Sequence, residues 1–280
     1  MTDSKWARQI IALQQPDGSW GCFHTLSRPT RQRPITTEQA LRRLRMLGFT
    51  QQDAPIGKAL GYMRDCLAGR RQPPDGREKA LNWDAFEAHM LATWIRIFVP
   101  DDPQALPVAR LWADMVTRSF AGGAFSQENY AAEYRKRIPV LHKGERMIAL
   151  SQFYMVNLLQ GVLDTEIERR FADHILHAAG GMYYVYNTKI ADLPTPFASR
   201  MTSAYLAALE QLAGYVCAPE KLGFAADWLL AHKTGGQWDL GAQAKDGIYF
   251  PLSDSWRKEE DRVRDCTLRI ETLLQRLGRG

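Results

Sequence analysis

The chain has 280 residues, of which 45% are hydrophobic and 24% charged, with a formal net charge of +5 at pH 7. This composition is ordinary for a globular protein, and we expect a single domain spanning 1–280. No apolar run approaches the ~18 residues of a membrane-spanning helix, and the N-terminus lacks an apolar signal core, which favours a cytosolic protein. The four scattered cysteines form no Cys-x-x-Cys pair, so reduced thiols are expected instead of a disulfide framework.

Apolar residues at helical spacing predict ten main helices and therefore an all-α fold. Thr36 or Thr37 is a candidate N-cap for the second helix, and the charged, tyrosine-rich stretch 122–139 is predicted to be a loop. The predicted helices cover about 5–13, 38–47, 55–67, 83–99, 103–120, 142–159, 165–178, 198–212, 219–231 and 258–277.

A short sequence pattern recurs between these predicted helices. Gln14-Gln15-Pro16-Asp17-Gly18-Ser19-Trp20 has the form Gln-x-x-x-Gly-x-Trp, and related frames return four times with glycines 58, 47, 58 and 55 residues apart. A helix before and after each copy indicates an array of five helical hairpins. The later frames are Gln72–Glu78, Ser119–Phe125, His177–Tyr183 and His232–Trp238.

Each position of the frame has a physical role. The glycine can adopt the left-handed conformation that ends a helix. The aromatic ring two residues later can fill the gap between neighbouring hairpins, and the polar side chain four residues before the glycine can bond free backbone groups. Helices before the frames are predicted to form an outer set, and helices after them an inner set.

The stretch 14–20 resembles the QW motif of squalene–hopene cyclases and related terpene cyclases, which share an α/α toroid with the β subunits of protein prenyltransferases. Thr202–Leu209 is similar to the start of an inner helix of a prenyltransferase repeat. The resemblance implies an α/α toroid of about five hairpins around a central cavity. It further implies an apolar cavity of at least ~300 Å³ with a carboxyl group in its wall.

The resemblance also implies where chemistry would occur, because the inner helices of the family begin at the mouth of the cavity. It suggests acid catalysis without a metal by four residues, namely Asp84, Glu87, His142 and Glu145. It suggests a substrate-binding role for six others, namely Glu38, Trp83, Tyr154, Arg200, Tyr205 and Trp256. For Glu38, Asp84 and Glu87, a capping or first-turn role favoured by the helix dipole is the alternative.

The catalytic signatures of the family are missing. The chain has no Asp-x-Asp-Asp sequence, and Asp265 and Cys266 are adjacent instead of being spaced as prenyltransferase zinc ligands. We therefore expect no zinc and no other cofactor. The alternatives to a small cyclase are a non-catalytic binding or scaffold protein and, with less support, a prenyltransferase β-like subunit.

A basic cluster lies near the N-terminus. It could contact a diphosphate, an anionic membrane surface or an acidic protein, or form a solvated surface. The expected partner is an apolar or isoprenoid small molecule, with or without a diphosphate, and peripheral membrane contact is a further hypothesis. No nucleic-acid-binding motif accompanies the cluster, so no nucleic acid is expected. Its members are Arg28, Arg31, Arg33, Arg42, Arg43 and Arg45.

Overall fold

The structure is a computed structural model that describes residues 1–27, 31 and 34–280. In these ranges the chain forms twelve α-helices, one 3₁₀ helix at Ala242–Ala244 and no β-strand, so the predicted all-α class is confirmed. The helices are α1 (Lys5–Ile11), α2 (Thr37–Met46), α3 (Ala54–Leu67), α4 (Trp83–Phe98), α5 (Leu106–Ser119), α6 (Gln127–Arg137), α7 (Phe153–Leu158), α8 (Thr165–His177), α9 (Arg200–Leu212), α10 (Ala218–Lys221), α11 (Gly223–Ala231) and α12 (Glu259–Arg276).

Two kinds of helix contact organise the chain. Neighbours in sequence pack as pairs, as in α1 with α2 and α3 with α4. Four helices also contact one another in chain order, with α4 against α7, α7 against α9 and α9 against α12. Side chains link α2 to this second set, because Trp94 of α4 donates to Glu38 at 3.0 Å and Arg45 donates to Gln211 of α9 at 3.4 Å.

The first and last glycine frames make the same contacts. The buried indole of Trp20 donates to the carbonyl of Ile10 at 2.7 Å, and that of Trp238 donates to Leu229 at 2.6 Å. The backbone N–H of Trp20 reaches the Thr37 hydroxyl at 2.9 Å, as the N–H of Trp238 reaches a threonine hydroxyl of α12 at 3.1 Å. Each tryptophan therefore ties the helix before it to the helix after it.

Glycine is required at position 18 for two reasons. Its φ of +94° lies in the left-handed region, and a Cβ there would lie 2.4 Å from the carbonyl oxygen of Lys58. The Gln14 amide completes this corner by donating to Gly18 O at 2.9 Å and to Pro55 O at 2.8 Å. In the fourth frame, by contrast, Tyr183 is half exposed and fills no gap between hairpins.

The structure corrects the prediction in two places. Residues 127–137 form α6 where a loop was expected, with Ser126 accepting the N–H of Asn129 at its start. The predicted helix 142–159 is reduced to α7, because the residues from 142 to 151 form turns and irregular backbone instead of a helix. There Arg146 N–H bonds to Ala80 O at 2.8 Å. His142 and Glu145 are therefore loop residues and do not begin an inner helix.

None of the helices in the described ranges combines the length and apolarity that crossing a bilayer requires.

Candidate functional site

The site is built where α2, α4 and α7 begin. A buried Thr36 caps α2 by accepting the N–H of Gln39 at 3.3 Å, while the Gln39 side chain accepts the N–H of Thr36 at 3.0 Å. The preceding loop folds back on the same helix, since Phe23 O accepts the N–H of Glu38 at 3.0 Å. Glu38 is consequently held in the first turn of α2 with no exposed surface.

The loop before α2 is fastened by one carboxylate. Asp75 accepts the backbone N–H of Phe23 at 2.6 Å, the N–H of His24 at 2.9 Å and the hydroxyl of Ser27 at 2.5 Å. Three bonds to one side chain fix the loop conformation, because a carboxylate satisfies several donors at once. His24 is thereby held in a buried position.

Glu38 is the centre of a buried polar network. One carboxylate oxygen accepts from Thr25 N–H at 2.8 Å and Tyr154 OH at 3.0 Å, and the other accepts from the Trp94 indole at 3.0 Å and from Tyr184 OH. The Tyr184 hydroxyl also lies 3.0 Å from the Tyr154 hydroxyl. Each carboxylate oxygen thus accepts at least two hydrogen bonds from inside the protein.

Arg42, one turn further along α2, supplies the counter-charge to Glu38 at 3.2 Å. Its guanidinium lies over three aromatic rings, at 4.7 Å from Phe153, 5.0 Å from Tyr184 and 5.9 Å from Trp94. Cation–π attraction is strong in such desolvated surroundings. The aromatic cage at this point of the fold is therefore already occupied by a cation of the protein itself.

The charges of this pair are fixed by their surroundings. Burial acts to raise the pKa of Glu38, but the Arg42 guanidinium and hydrogen bonds from Thr25 and Tyr184 outweigh it and hold that pKa below its usual range. Burial raises the pKa of the Tyr184 phenol, as does the neighbouring Glu38 charge. At neutral pH the centre consists of a carboxylate, a guanidinium and neutral tyrosines.

A pocket of about 420 Å³ opens beside this network. The buried His24 ring lies in its wall, 5.5 Å from the ring of Phe86 and 6.2 Å from that of Tyr154. Two buried oxygens, Oε1 of the lining residue Gln152 and Oγ1 of Thr25 next to His24 in sequence, bond to no other described residue. The lining is His24, Leu26, Glu78, Leu81, Phe86, Arg146, Met147, Ala149, Gln152, Tyr154, Tyr183 and Tyr184.

The structure brings together two of the predicted residues, Glu38 and Tyr154, at this network. Trp83 and Glu87 lie nearby on α4 as a pair, with the Trp83 indole donating to Glu87 at 3.1 Å. Burial raises the pKa of Glu87, against the effect of that hydrogen bond. Neither residue lines the pocket.

The other predicted catalytic residues lie elsewhere. Asp84 points to solvent with 70% of its side chain exposed and pairs with Arg77. His142 is exposed, and Glu145 accepts the backbone N–H of Leu141 at 3.1 Å within the same loop. Asp84 and Glu87 therefore do not form a pair of carboxylates facing a shared apolar cavity.

Three predicted substrate-binding residues also fall outside the pocket. Arg200 is exposed at the start of α9. Tyr205 is buried and donates to Ile190 O at 3.1 Å. The buried Trp256 indole donates to Asp265 at 2.7 Å, in a contact that shapes the loop before α12. The last two side chains hold loops against helices.

The basic cluster does not act as one surface. Arg42 and Arg43 are buried, with Arg43 donating to Ile248 O at 3.1 Å and to Pro251 O. Arg45 lines a different pocket, between α2, α9 and α12, and Arg31 is exposed. The positions 28 and 33 of the cluster lie outside the described residues.

Sequence reasoning missed His24, Tyr184 and the role of Arg42. His24 follows the first glycine frame by four residues, and an aromatic run marks 182–186, yet neither signal predicts a shared pocket. Their meeting depends on the Asp75 contacts and on backbone bonds of Tyr183, whose N–H reaches Ser151 O at 2.8 Å. Within the described ranges, no three His, Cys, Asp or Glu side chains group closely enough to hold a metal.

Comparison of the chain with family models, with curated proteins and with solved structures found no match in any of the three.

Proposed function

We propose that this chain is an α/α toroid of the terpene cyclase-like kind that binds an apolar small molecule, of isoprenoid or similar size, in the pocket beside Glu38. The observation that carries the proposal is the pocket itself. Its 420 Å³ volume lies in the range of small-molecule sites, and its wall combines aromatic rings with a few polar groups. Such a wall favours a ligand that is mostly apolar.

The toroid is supported by repeated contacts. Trp20 and Trp238 bond in the same way to the helices on either side of them, as expected of equivalent hairpins. The chain-order contacts from α4 through α7 and α9 to α12 match an inner ring, and α2 touches both α4 and α9 by side-chain bonds. In such a ring, the buried Arg42 and Glu38 would lie on the inner side.

The charge state of this interior favours binding over acid catalysis. An acid must hold a proton at working pH, and the lowered pKa of Glu38 keeps it ionised. A carbocation would need aromatic faces, and those of Phe153, Tyr184 and Trp94 face the Arg42 guanidinium. The network therefore serves best as a rigid floor for the pocket.

A catalytic function remains the second candidate because of His24. Its imidazole lies in the pocket wall among the rings of Phe86, Tyr154 and Tyr184, and its distance to the Tyr184 ring is 6.3 Å. Imidazole is the side chain best suited to move a proton near neutral pH. A metal-independent isomerase or lyase acting on the bound molecule would use this group in place of Asp84.

Calorimetric titration with farnesol, farnesyl diphosphate and squalene in mild detergent tests the binding proposal. Ala149 lines the pocket from its exposed edge, so Ala149→Trp is expected to fill space there without opening the core. We expect saturable binding to the wild type and a dissociation constant at least about tenfold higher in that variant, equivalent to about 1.4 kcal/mol.

Ala132→Trp is the matched control, because Ala132 is exposed on α6 and lines none of the described pockets. Equal weakening in both variants, or no saturable binding to the wild type, contradicts the proposal. The same mixtures, extracted and analysed for cyclic products, test catalysis. Product that disappears in His24→Gln would favour the enzyme, whereas an unchanged substrate would favour the binding protein.

A further inference from the structure

A second cavity, of about 280 Å³, lies at the other end of α2. The last residues of α2, α9 and α12 meet around it. Its charged wall contains Arg45 from α2 and Arg276 from α12, and its apolar wall contains Met46, Leu268 and Leu273. The binding function proposed for the pocket beside Glu38 does not involve this cavity.

The positive charges of this cavity are unevenly balanced. Arg269 is neutralised by Glu210, which accepts from it at 2.6 and 3.0 Å, and Arg269 also donates to Ser203. Among the described residues, Arg45 donates a hydrogen bond to the amide oxygen of Gln211, at 3.4 Å, and to no carboxylate. Within the described ranges, no carboxylate lies within 4.0 Å of the Arg45 or Arg276 guanidinium. The single acid in the wall is thus already engaged.

The surroundings of Arg45 disfavour its charge. Burial and the nearby charge of Arg276 together lower the pKa of Arg45 to about 10, against the effect of Glu210. Partial desolvation of the Arg276 guanidinium lowers its pKa as well, against the effect of Glu210. Two guanidinium groups that line one cavity, with Glu210 bonded to Arg269 instead of to either of them, repel one another, and a bound anion would offset that repulsion.

We propose that the cavity between α2, α9 and α12 binds an oxyanion, a carboxylate or phosphate group, through Arg45 and Arg276. Guanidinium groups match such anions because their N–H donors form a planar fork that can bond two oxygens. The adjoining side chains of Met46, Leu268 and Leu273 would cover a short apolar group attached to the anion. The ligand class is therefore a small amphiphilic acid.

The competing explanation is that both arginines serve only to cap helices. Carbonyl groups at helix C-termini carry partial negative charge, and basic side chains in the last turn are favourable there. Arg45 and Arg276 both occupy last turns. Capping alone predicts no saturable anion binding, so the two explanations separate experimentally.

The test is calorimetric titration of the full chain at constant ionic strength with inorganic phosphate, acetate and hexanoate. We expect saturable binding of at least one oxyanion, with hexanoate binding more tightly than acetate if the apolar wall contributes. Arg276→Gln is expected to raise the dissociation constant about tenfold, since one charge-assisted hydrogen bond is lost. Arg276 is exposed, so the substitution does not disturb the core.

Arg257→Gln is the matched control, because Arg257 is also exposed and lines none of the described cavities. Binding that is absent in the wild type, or equally weakened by both substitutions, overturns the proposal. The inference does not depend on the pocket beside Glu38. Ala149→Trp, which fills that pocket, is expected to leave oxyanion binding unchanged, so failure of either proposal is recognised separately.

Discussion

Glu38 and Tyr154 lie 116 positions apart in the sequence and are joined by a 3.0 Å hydrogen bond between carboxylate and phenol. Both are buried, and both also bond to Tyr184. This contact connects the start of α2 to the start of α7. The network around it is the polar centre on which the following stability predictions rest.

Glu38→Gln is expected to destabilise the fold by about 3–5 kcal/mol, because it leaves the buried Arg42 charge without its counter-ion. Urea denaturation measures the change. Glu128→Gln, an exposed first-turn glutamate of α6, is the control and should change stability by less than about 0.5 kcal/mol. A cost for Glu38→Gln as small as that of the control would contradict the importance of the pair.

The same carboxylate predicts a pH dependence. The folded-state pKa of Glu38 is lowered, so its contribution to stability is complete above the unfolded value of 4.5 and declines as the pH falls through the folded value. The acid limb of the unfolding curve should therefore be shallower in Glu38→Gln than in the wild type. Parallel curves below pH 4.5 would argue against a paired carboxylate.

The buried His89 is expected to lower the free energy of unfolding at mildly acidic pH, separately from Glu38. It is fully buried, both ring nitrogens bond to no other described residue, and burial lowers its pKa from 6.5 to about 3. Stability is present above pH 6.5 and declines as the pH falls towards 3, because the unfolded chain takes up the proton first.

From these two pKa values, the wild type should lose about 2 kcal/mol between pH 7 and pH 5 relative to His89→Leu. Chemical denaturation at the two pH values measures the difference, and the comparison between chains cancels all groups they share. Identical losses in both chains would show that the pKa of His89 is the same in the folded and the unfolded chain.

Gly18→Ala is expected to cost more than Gly48→Ala, although both glycines have φ above +90°. The left-handed conformation costs about 1 kcal/mol in each case. Only at Gly18 would the new Cβ also meet a backbone atom, Lys58 O at 2.4 Å, whereas nothing lies within 4 Å at Gly48. Thermal unfolding measures the two variants, and equal costs would contradict the close approach of the chains.

Asp84→Asn is expected to leave ligand binding unchanged and to alter stability by less than about 0.5 kcal/mol, because the side chain is exposed and its ion pair with Arg77 is at the surface. Calorimetric titration of wild type and variant with the same probe measures the effect. A tenfold loss of affinity would instead show that Asp84 contributes to ligand binding.

The sequence predicted most helices to within a few residues, because their apolar positions recur at helical spacing. The exceptions have local causes. Met147, Ile148 and Leu150 have spacing compatible with a helix, yet their segment is irregular, and Tyr130 donates to Ile148 O at 2.6 Å. Such tertiary contacts override local pattern.

The candidate site was less predictable than the helices. Glu38 was correctly placed at a helix start, but its partners Tyr154 and Tyr184 come from distant segments, and no spacing in the sequence joins them. Asp84 carried the same first-turn signal as Glu38 and lies in solvent. The local pattern cannot distinguish the two, because burial at a helix start is decided by what packs against it.

Helix α2 carries Glu38 near one end and Arg45 near the other, seven residues or about 10 Å apart along its axis. Helix α2 therefore supports two cavities. One is the pocket beside the Glu38 network, and the other is the cavity lined by the Arg45 and Arg276 guanidinium groups. Residues midway along it, such as Leu41, have no exposed surface and cannot be enlarged without pushing on both ends. The lining residues of either cavity can therefore be changed independently only if the buried residues of α2 are kept.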